Sequence, residues 1–265
     1  MSDRPRLPLH PTNAQSLGFR RSLIIATLAL SATGVAACGV QSTSTDSATV
    51  LLFTGAGTSP NDAAAVESIL REQRIPYATA DSRQLGGMSD PQLRTYRLLI
   101  VPGGNFVQMG TGLSATATAN VRSAVGAGLS YLGIFPGAFL AGNSPYNGLN
   151  LTSGARFGFY SAEAHGVRQA AVEIAIAGSA PLAQYWEDGP ELTGWGDVVA
   201  TYPDGTPAIV EGNVGAGWVI LTGTHPEAPE SWRNGLSFAA PAGVSRRYAA
   251  TLIDAALHRK ALEHY

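Results

Sequence analysis

The sequence predicts an α/β protein in which helices cover a mostly parallel sheet. Three observations carry that expectation. Between residues 48 and 134, short apolar runs of strand length alternate with helix-length segments. The runs end in glycine-bearing turns, where ligand sites of such sheets lie. Beyond residue 195 the texture changes to short strands joined by Pro203-Asp204-Gly205 and other glycine turns, which signals a small antiparallel extension.

The chain has 265 residues, 45% of them hydrophobic and 14% charged, with a formal net charge of −2. That length supports one large α/β domain with ample core. The charge offers no basic field, so no nucleic-acid partner is expected. Cys38 is the single cysteine, which rules out an internal disulfide.

The N-terminal segment reads as targeting rather than fold. Arg4, Arg6, Arg20 and Arg21 form a positive region, and Ser22 to Val35 is apolar but short for a membrane span. Val35-Ala36-Ala37-Cys38 resembles a bacterial lipobox, so residues 1–37 are expected to be a signal peptide and Cys38 the lipidated first residue. Phe19-Arg20-Arg21-Ser22 also fits a twin-arginine export signal, and the export route stays open. Residues 38–47 are Ser/Thr-rich and aperiodic, a flexible tether. The expected location is the bacterial cell envelope, with membrane attachment through the lipid at Cys38.

Residues 48–265 form the expected domain. Ala48 to Phe53 is a buried first strand, followed by the loop Gly55-Ala56-Gly57-Thr58-Ser59-Pro60. Asn61 or Asp62 is expected to cap a helix from Ala63 to Gln73. The Gly-x-Gly of that loop lacks the third glycine and the lysine of phosphate-binding motifs, so no nucleotide cofactor is expected. Ile75 to Ala80 is a second strand and Asp90 to Tyr96 a short helix. Leu98 to Val101 is a third strand, ending in Pro102-Gly103-Gly104-Asn105. Adjacent glycines there let backbone N–H groups face a cleft, the chemistry of an oxyanion hole.

Ser114 caps a helix to about Val125, and Leu129 to Ile134 is the fourth strand. It runs into Gly133-Ile134-Phe135-Pro136-Gly137, the outline of a nucleophile elbow. Phe135 occupies the nucleophile slot and has no lone pair to attack with. A phenylalanine tolerates the strained positive φ of an elbow poorly, so a relaxed elbow is expected, with the ring lying in the cleft.

Arg156 to Ser161 and Val167 to Ile176 read as strands. Tyr185 to Pro190 and Gly194-Trp195-Gly196 read as loops that either form a binding rim or pack their tryptophans inward. Val198 to Tyr202, Ala208 to Glu211 and Trp218 to Thr222 are short strands. The last leads to Gly223-Thr224-His225-Pro226-Glu227, in which a carboxylate two residues past an imidazole can orient it and stabilise its charged form. Arg246 to His258 is a closing amphipathic helix. His165, His225, His258 and His264 are scattered, so sequence spacing predicts no metal site.

Taken together, Val101 to Asn105, Tyr131 to Gly137, Asn147 to Leu151, Tyr185 to Pro190 and His225 to Glu227 resemble the class I glutamine amidotransferase-like superfamily. Within it the chain resembles the biotin-protein ligase N-terminal domain family over residues 48–265. The resemblance implies a flavodoxin-like three-layer sandwich and a Cys-His-Glu triad. His225 matches the catalytic histidine, Glu227 its carboxylate, and Gly103 and Gly104 the oxyanion loop. Phe135 falls where the cysteine belongs, and Cys38 lies in the signal region.

The resulting expectation is a non-catalytic, lipid-anchored envelope domain that binds a small molecule or an envelope partner. One competing expectation is an amide or ester hydrolase with a rewired nucleophile, using His225 and Glu227. Another is a purely structural envelope protein.

Overall fold

A computed structural model describes residues 48–265. The signal peptide, Cys38 and tether expected from the sequence lie outside the described residues. The elements run β1 (Val50–Phe53), α1 (Pro60–Glu72), β2 (Tyr77–Ala80), α2 (Ser82–Gly86), α3 (Asp90–Leu93), β3 (Leu98–Val101) and α4 (Phe106–Thr111). Then come α5 (Ala115–Gly126), β4 (Ser130–Ile134), α6 (Pro136–Ala141), α7 (Ser161–Ala164), β5 (Gln169–Ile176), β6 (Leu182–Glu187) and β7 (Asp197–Thr201). The chain closes with β8 (Pro207–Val214), β9 (Gly217–Thr222), a 3-10 turn (Glu230–Arg233) and α8 (Ala242–His258). No helix among the described residues is long and apolar enough to cross a membrane.

The nine strands form one sheet in the order β2-β1-β3-β4-β9-β8-β7-β5-β6. The first five run parallel. The other four are antiparallel, so the extension expected to be small supplies almost half of the sheet. Alternate residues of each central strand face opposite layers, as the period of two requires. Val50, Leu52, Leu98, Ile100, Leu132, Ile134 and Ile220 meet α1 and α8. Leu51, Phe53, Leu99, Val101, Tyr131, Val219 and Leu221 meet the helices of the opposite face, chiefly α5. Burial on both faces explains why these strands read as continuous apolar runs.

Two expected segments differ. Arg156 to Ser161 is not a strand: it makes one isolated bridge, Phe159 to Pro190, before α7. The exposed Gly158 breaks the run, and Phe157 and Phe159 line a cavity instead of alternating across a sheet. Conversely, Leu182 to Glu187 is strand β6, where a loop was expected from Tyr185 onward. The turn chemistry sits only at Asp188-Gly189-Pro190. Trp186 is fully buried, and its indole N–H donates to the Gly189 carbonyl at 3.3 Å.

β5 joins β7 through only two residue pairs, Ala175 with Thr201 and Ile176 with Ala200. The β5–β6 hairpin is thus weakly paired with β7, and β6 also bridges to the loop after β9. There the His225 N–H donates to the Tyr185 carbonyl at 2.8 Å.

Candidate functional site

The site lies beyond the carboxyl ends of β1, β3, β4 and β9, where parallel sheets place ligands. The loop after β1 and the loop after β3 are laced together. Ser59 N–H donates to the Gly103 carbonyl at 3.0 Å, and Asn105 N–H donates to the Gly57 carbonyl at 2.8 Å. This lacing fixes Gly103 and Gly104 against the start of α1, beside Asp62, and neither glycine lines the cleft that opens over His225.

Helix α1 starts earlier than expected, and this brings in a residue the sequence assigned to a cap. Ser59 is the N-cap, accepting from Asp62 N–H at 3.3 Å, and Pro60 takes the first helical position. Asp62 is thereby freed from capping and turned inward. Its carboxylate lies against Gly103 so closely that a Cβ there would sit 1.5 Å from Oδ1. Only glycine at 103 leaves room for it.

The elbow after β4 keeps its sharp geometry. Phe135 has φ +49° and ψ −101°, so the relaxed elbow expected from its side chain is not what forms. The reason is the backbone around it. A Cβ at Gly133 would lie 2.6 Å from the Gly137 backbone, so strand and helix press together there. Phe135 N–H donates to Thr222 C=O at 2.8 Å, and Tyr131 Oη donates to Gly137 C=O at 2.7 Å. These constraints hold a conformation that costs on the order of 1–3 kcal/mol. The ring packs 5.2 Å from the His225 ring and 6.4 Å from Phe139, and it is not among the residues lining the cleft over His225, where the sequence predicts it.

His225 and Glu227 come together as predicted, with Nδ1 to Oε1 at 2.9 Å and both residues buried. Asp62 Oδ1 is 3.3 Å from the same Nδ1. The shorter contact carries the proton, and Asp62 Oδ1 has no hydrogen-bond partner among the described residues. Burial acts to lower the His225 pKa, but the Glu227 charge, with Asp62 beside it, outweighs burial and pushes it up to about 10. Burial raises the Glu227 pKa, and His225 partly offsets this.

Three donor atoms, from Asp62, His225 and Glu227, lie within 4.8 Å of one another. Sequence spacing gave no sign of such a cluster, because its members come from α1 and the loop after β9.

A cleft of about 220 Å³ opens over this group, lined by Asn61, Asp62, Tyr185, Glu187, His225 and Trp232 among others. The Tyr185, Trp232 and His225 rings form a triangle with each pair of centroids 5.8 Å apart. Tyr185 Oη donates to Glu187 Oε2 at 2.7 Å, which fixes that carboxylate at the rim. Trp186 and Trp195 do not form this rim: Trp186 is buried, and Trp195 is half-buried over Gly212. Trp232, on the 3-10 turn, takes the place expected of them.

Chemically the arrangement opposes acyl transfer at several points. Phe135 supplies no nucleophile. The residue after the nucleophile usually lends a backbone N–H to the oxyanion hole, and Pro136 has none. A carboxylate, Asp62, lies on the glycine loop where negative charge would develop. A histidine protonated up to about pH 10 is also a poor general base at neutral pH.

No family model matches the chain, and neither does any curated protein sequence. Solved structures do share its architecture. SMU.1228c aligns over 77% of this chain and 97% of its own length, with 12% identity and a TM-score of 0.52. The exo-beta-1,4-mannosidase Op5Man5 from Opitutaceae bacterium strain TAV5 aligns over 78% of this chain with 14% identity and a TM-score of 0.50. This chain spans only 36% of that enzyme. A putative GMP synthase component from Thermoplasma acidophilum aligns over 77% of this chain and 97% of its own, with 12% identity and a TM-score of 0.48. At these identities the likeness to SMU.1228c and Op5Man5 is one of fold alone, an α/β sandwich.

Proposed function

We propose that residues 48–265 are a non-catalytic binding domain built on a class I glutamine amidotransferase-like scaffold, similar to the biotin-protein ligase N-terminal domain family. Its partner is a small molecule or a component of the bacterial envelope, to which a lipid at Cys38 tethers the domain. The observation that carries this reading is the elbow. Its nucleophile geometry is intact, yet Phe135 and Pro136 occupy the attacking and oxyanion positions. Asp62 on Gly103 adds a charge of the wrong sign for acyl transfer.

The test is hydrolysis of glutamine and a panel of amides and esters by the wild type and by Phe135→Cys. Both are expected to remain at background, because restoring a thiol leaves Pro136 and Asp62 in place. Wild-type hydrolysis that disappears in a folded His225→Gln variant would overturn the reading. The unpartnered, buried His225 Nε2 favours the second reading, a water-activating hydrolase using His225 and Glu227. That enzyme would need neutral imidazole, so its rate would climb as pH rises toward about 10.

A further inference from the structure

We propose that the cavity at the C-terminal end of α6 binds a small aromatic carboxylate, with Arg156 taking the anion. This rests on the binding reading above and names a site and a ligand class for it. The site shares no lining residue with the cleft over His225, so the two can fail separately.

The cavity has a volume of about 260 Å³ and is walled by five rings, those of Phe106, Phe139, Tyr146, Phe157 and Phe159. Phe106 stacks on Phe139 at 4.8 Å and meets Tyr146 edge-on at 6.0 Å, and Phe159 lies 5.0 Å from Phe139. Tyr146 and Phe159 are 44% and 45% exposed. They are two of the four large hydrophobic side chains exposed among the described residues, and both stand at this one cavity. Exposed apolar side chains are ordinary when scattered singly. Gathered around a concave site, they mark a ligand surface. An aromatic guest can meet such rings in stacked or edge-on contact.

The walls are held in place before any ligand arrives. Asn147 Nδ2 donates to Leu113 C=O at 2.7 Å and to Gly110 C=O at 3.2 Å, which ties the loop after α6 to the end of α4. Tyr146 C=O lies so near Gly110 that a Cβ there would sit 1.7 Å from it. Leu149 N–H donates to Leu140 C=O at 2.8 Å, and Asn143 N–H donates to Ala155 C=O at 3.0 Å. The segment Asn147 to Leu151, which takes no part in the His225 cleft, thus shapes this cavity instead. Fixed walls lose less freedom when a ligand binds.

The charge of the cavity selects the guest. Arg156 is the one charged residue among those lining it, and it makes no ion pair among the described residues. Its planar fork matches the two oxygens of a carboxylate. Asn143 and Ser144 also line the cavity and can donate to the same anion. One guanidinium balances a carboxylate, whereas a phosphate monoester brings nearly two negative charges. The volume is below that of sites for drug-sized ligands, which favours one- or two-ring compounds.

The experiment is titration of the full chain, followed by ligand NMR, with phenylacetate and indole-3-acetate, their neutral amides, acetate and phenethylamine. Each aromatic acid is expected to bind about fivefold tighter than its amide, the upper range for a partly exposed ion pair. Acetate, which lacks the ring, and phenethylamine, which carries the wrong charge, should bind more weakly than either amide. Arg156→Gln should bring each acid down to the level of its amide and leave the amides unchanged. Phe159→Leu should weaken acid and amide alike, by about threefold or more. Both side chains are exposed, so folding should be unchanged by circular dichroism. Equal affinity for acids and amides, acid binding unchanged in Arg156→Gln, or no binding of either acid would each overturn the proposal. Hydrolysis in the earlier assay with acid binding intact would remove the non-catalytic reading alone. No acid binding with no hydrolysis would remove this inference alone.

Discussion

The parallel half of the sheet and its antiparallel half contribute to the cleft in opposite ways. The parallel strands β1, β3, β4 and β9 deliver backbone: the laced glycine loops, the strained elbow and the turn that carries His225. The antiparallel half delivers side chains, Tyr185 and Glu187 on the β5–β6 hairpin. The backbone features are of kinds that acyl transfer can use, a strained elbow and adjacent glycines. The side chains set over them, together with Asp62, Phe135 and Pro136, belong to different chemistry. The strained backbone at Phe135 is enforced by neighbouring close contacts and does not depend on the side chain it carries.

The sharpest way to separate the halves is to damage each and read stability against binding. Trp186→Ala empties a fully buried site in the antiparallel half. It should cost about 3–5 kcal/mol in urea denaturation, the range for a large buried aromatic. His225→Ala leaves the buried Glu227 without its partner and should cost about 3 kcal/mol in the same measurement. The wild type should also lose stability with rising pH. The His225 pKa is raised on folding, so its contribution is full below the unfolded value near 6.5 and is lost as pH passes about 10. Thermal melts should fall as pH approaches 10 in the wild type; His225→Ala should lack that fall and show instead the loss due to the buried Glu227, whose pKa burial raises and whose partner is gone.

A smaller effect tests the join between β8 and the C-terminal tail. The buried Glu211 accepts from Leu262 N–H and His264 Nε2, each at 2.7 Å, which pins the C-terminal tail to β8. His264→Ala should cost about 1.5–3 kcal/mol, the range for a hydrogen bond to a charged group. It should leave the cleft unchanged. Smallest of all, Glu187→Gln at the exposed rim should move stability by no more than about 0.5 kcal/mol. A larger loss would mean that the rim carboxylate holds the hairpin down as well as facing the cleft.

The parallel half was also the more legible. Leu98 to Val101 has the same limits in sequence and structure, because a strand buried on both faces leaves an unbroken apolar run. His225 and Glu227 were readable because two residues of spacing place them on one short loop. Asp62 was not, since an acidic residue in a helix's first turn normally answers the helix dipole. The signal that could have found it was Ser59-Pro60, an N-cap followed by a first-turn proline, which places Asp62 beyond the cap. Tyr185 and Glu187 lay in the segment read as a candidate rim, but Trp232 escaped because nothing local says which exposed loop folds over a cleft. The relaxed elbow was mistaken because φ at 135 answers to Gly133 and Gly137 rather than to the phenylalanine itself.

The hairpin that bridges to His225 has a kinetic consequence. Its ladder bonds to the rest of the sheet are two residue pairs at one end, with the His225–Tyr185 bond at the other and the Thr224–Gln184 and Ser245–Ala183 side-chain bonds along β6. Such a segment opens at lower free energy than the strands it leaves. The His225 amide should then exchange its hydrogen faster than the amides of β4 and β9, in step with the β5–β6 amides. A ligand that touches Glu187 would slow that exchange across the whole hairpin, so binding at one cleft would be recorded along two strands.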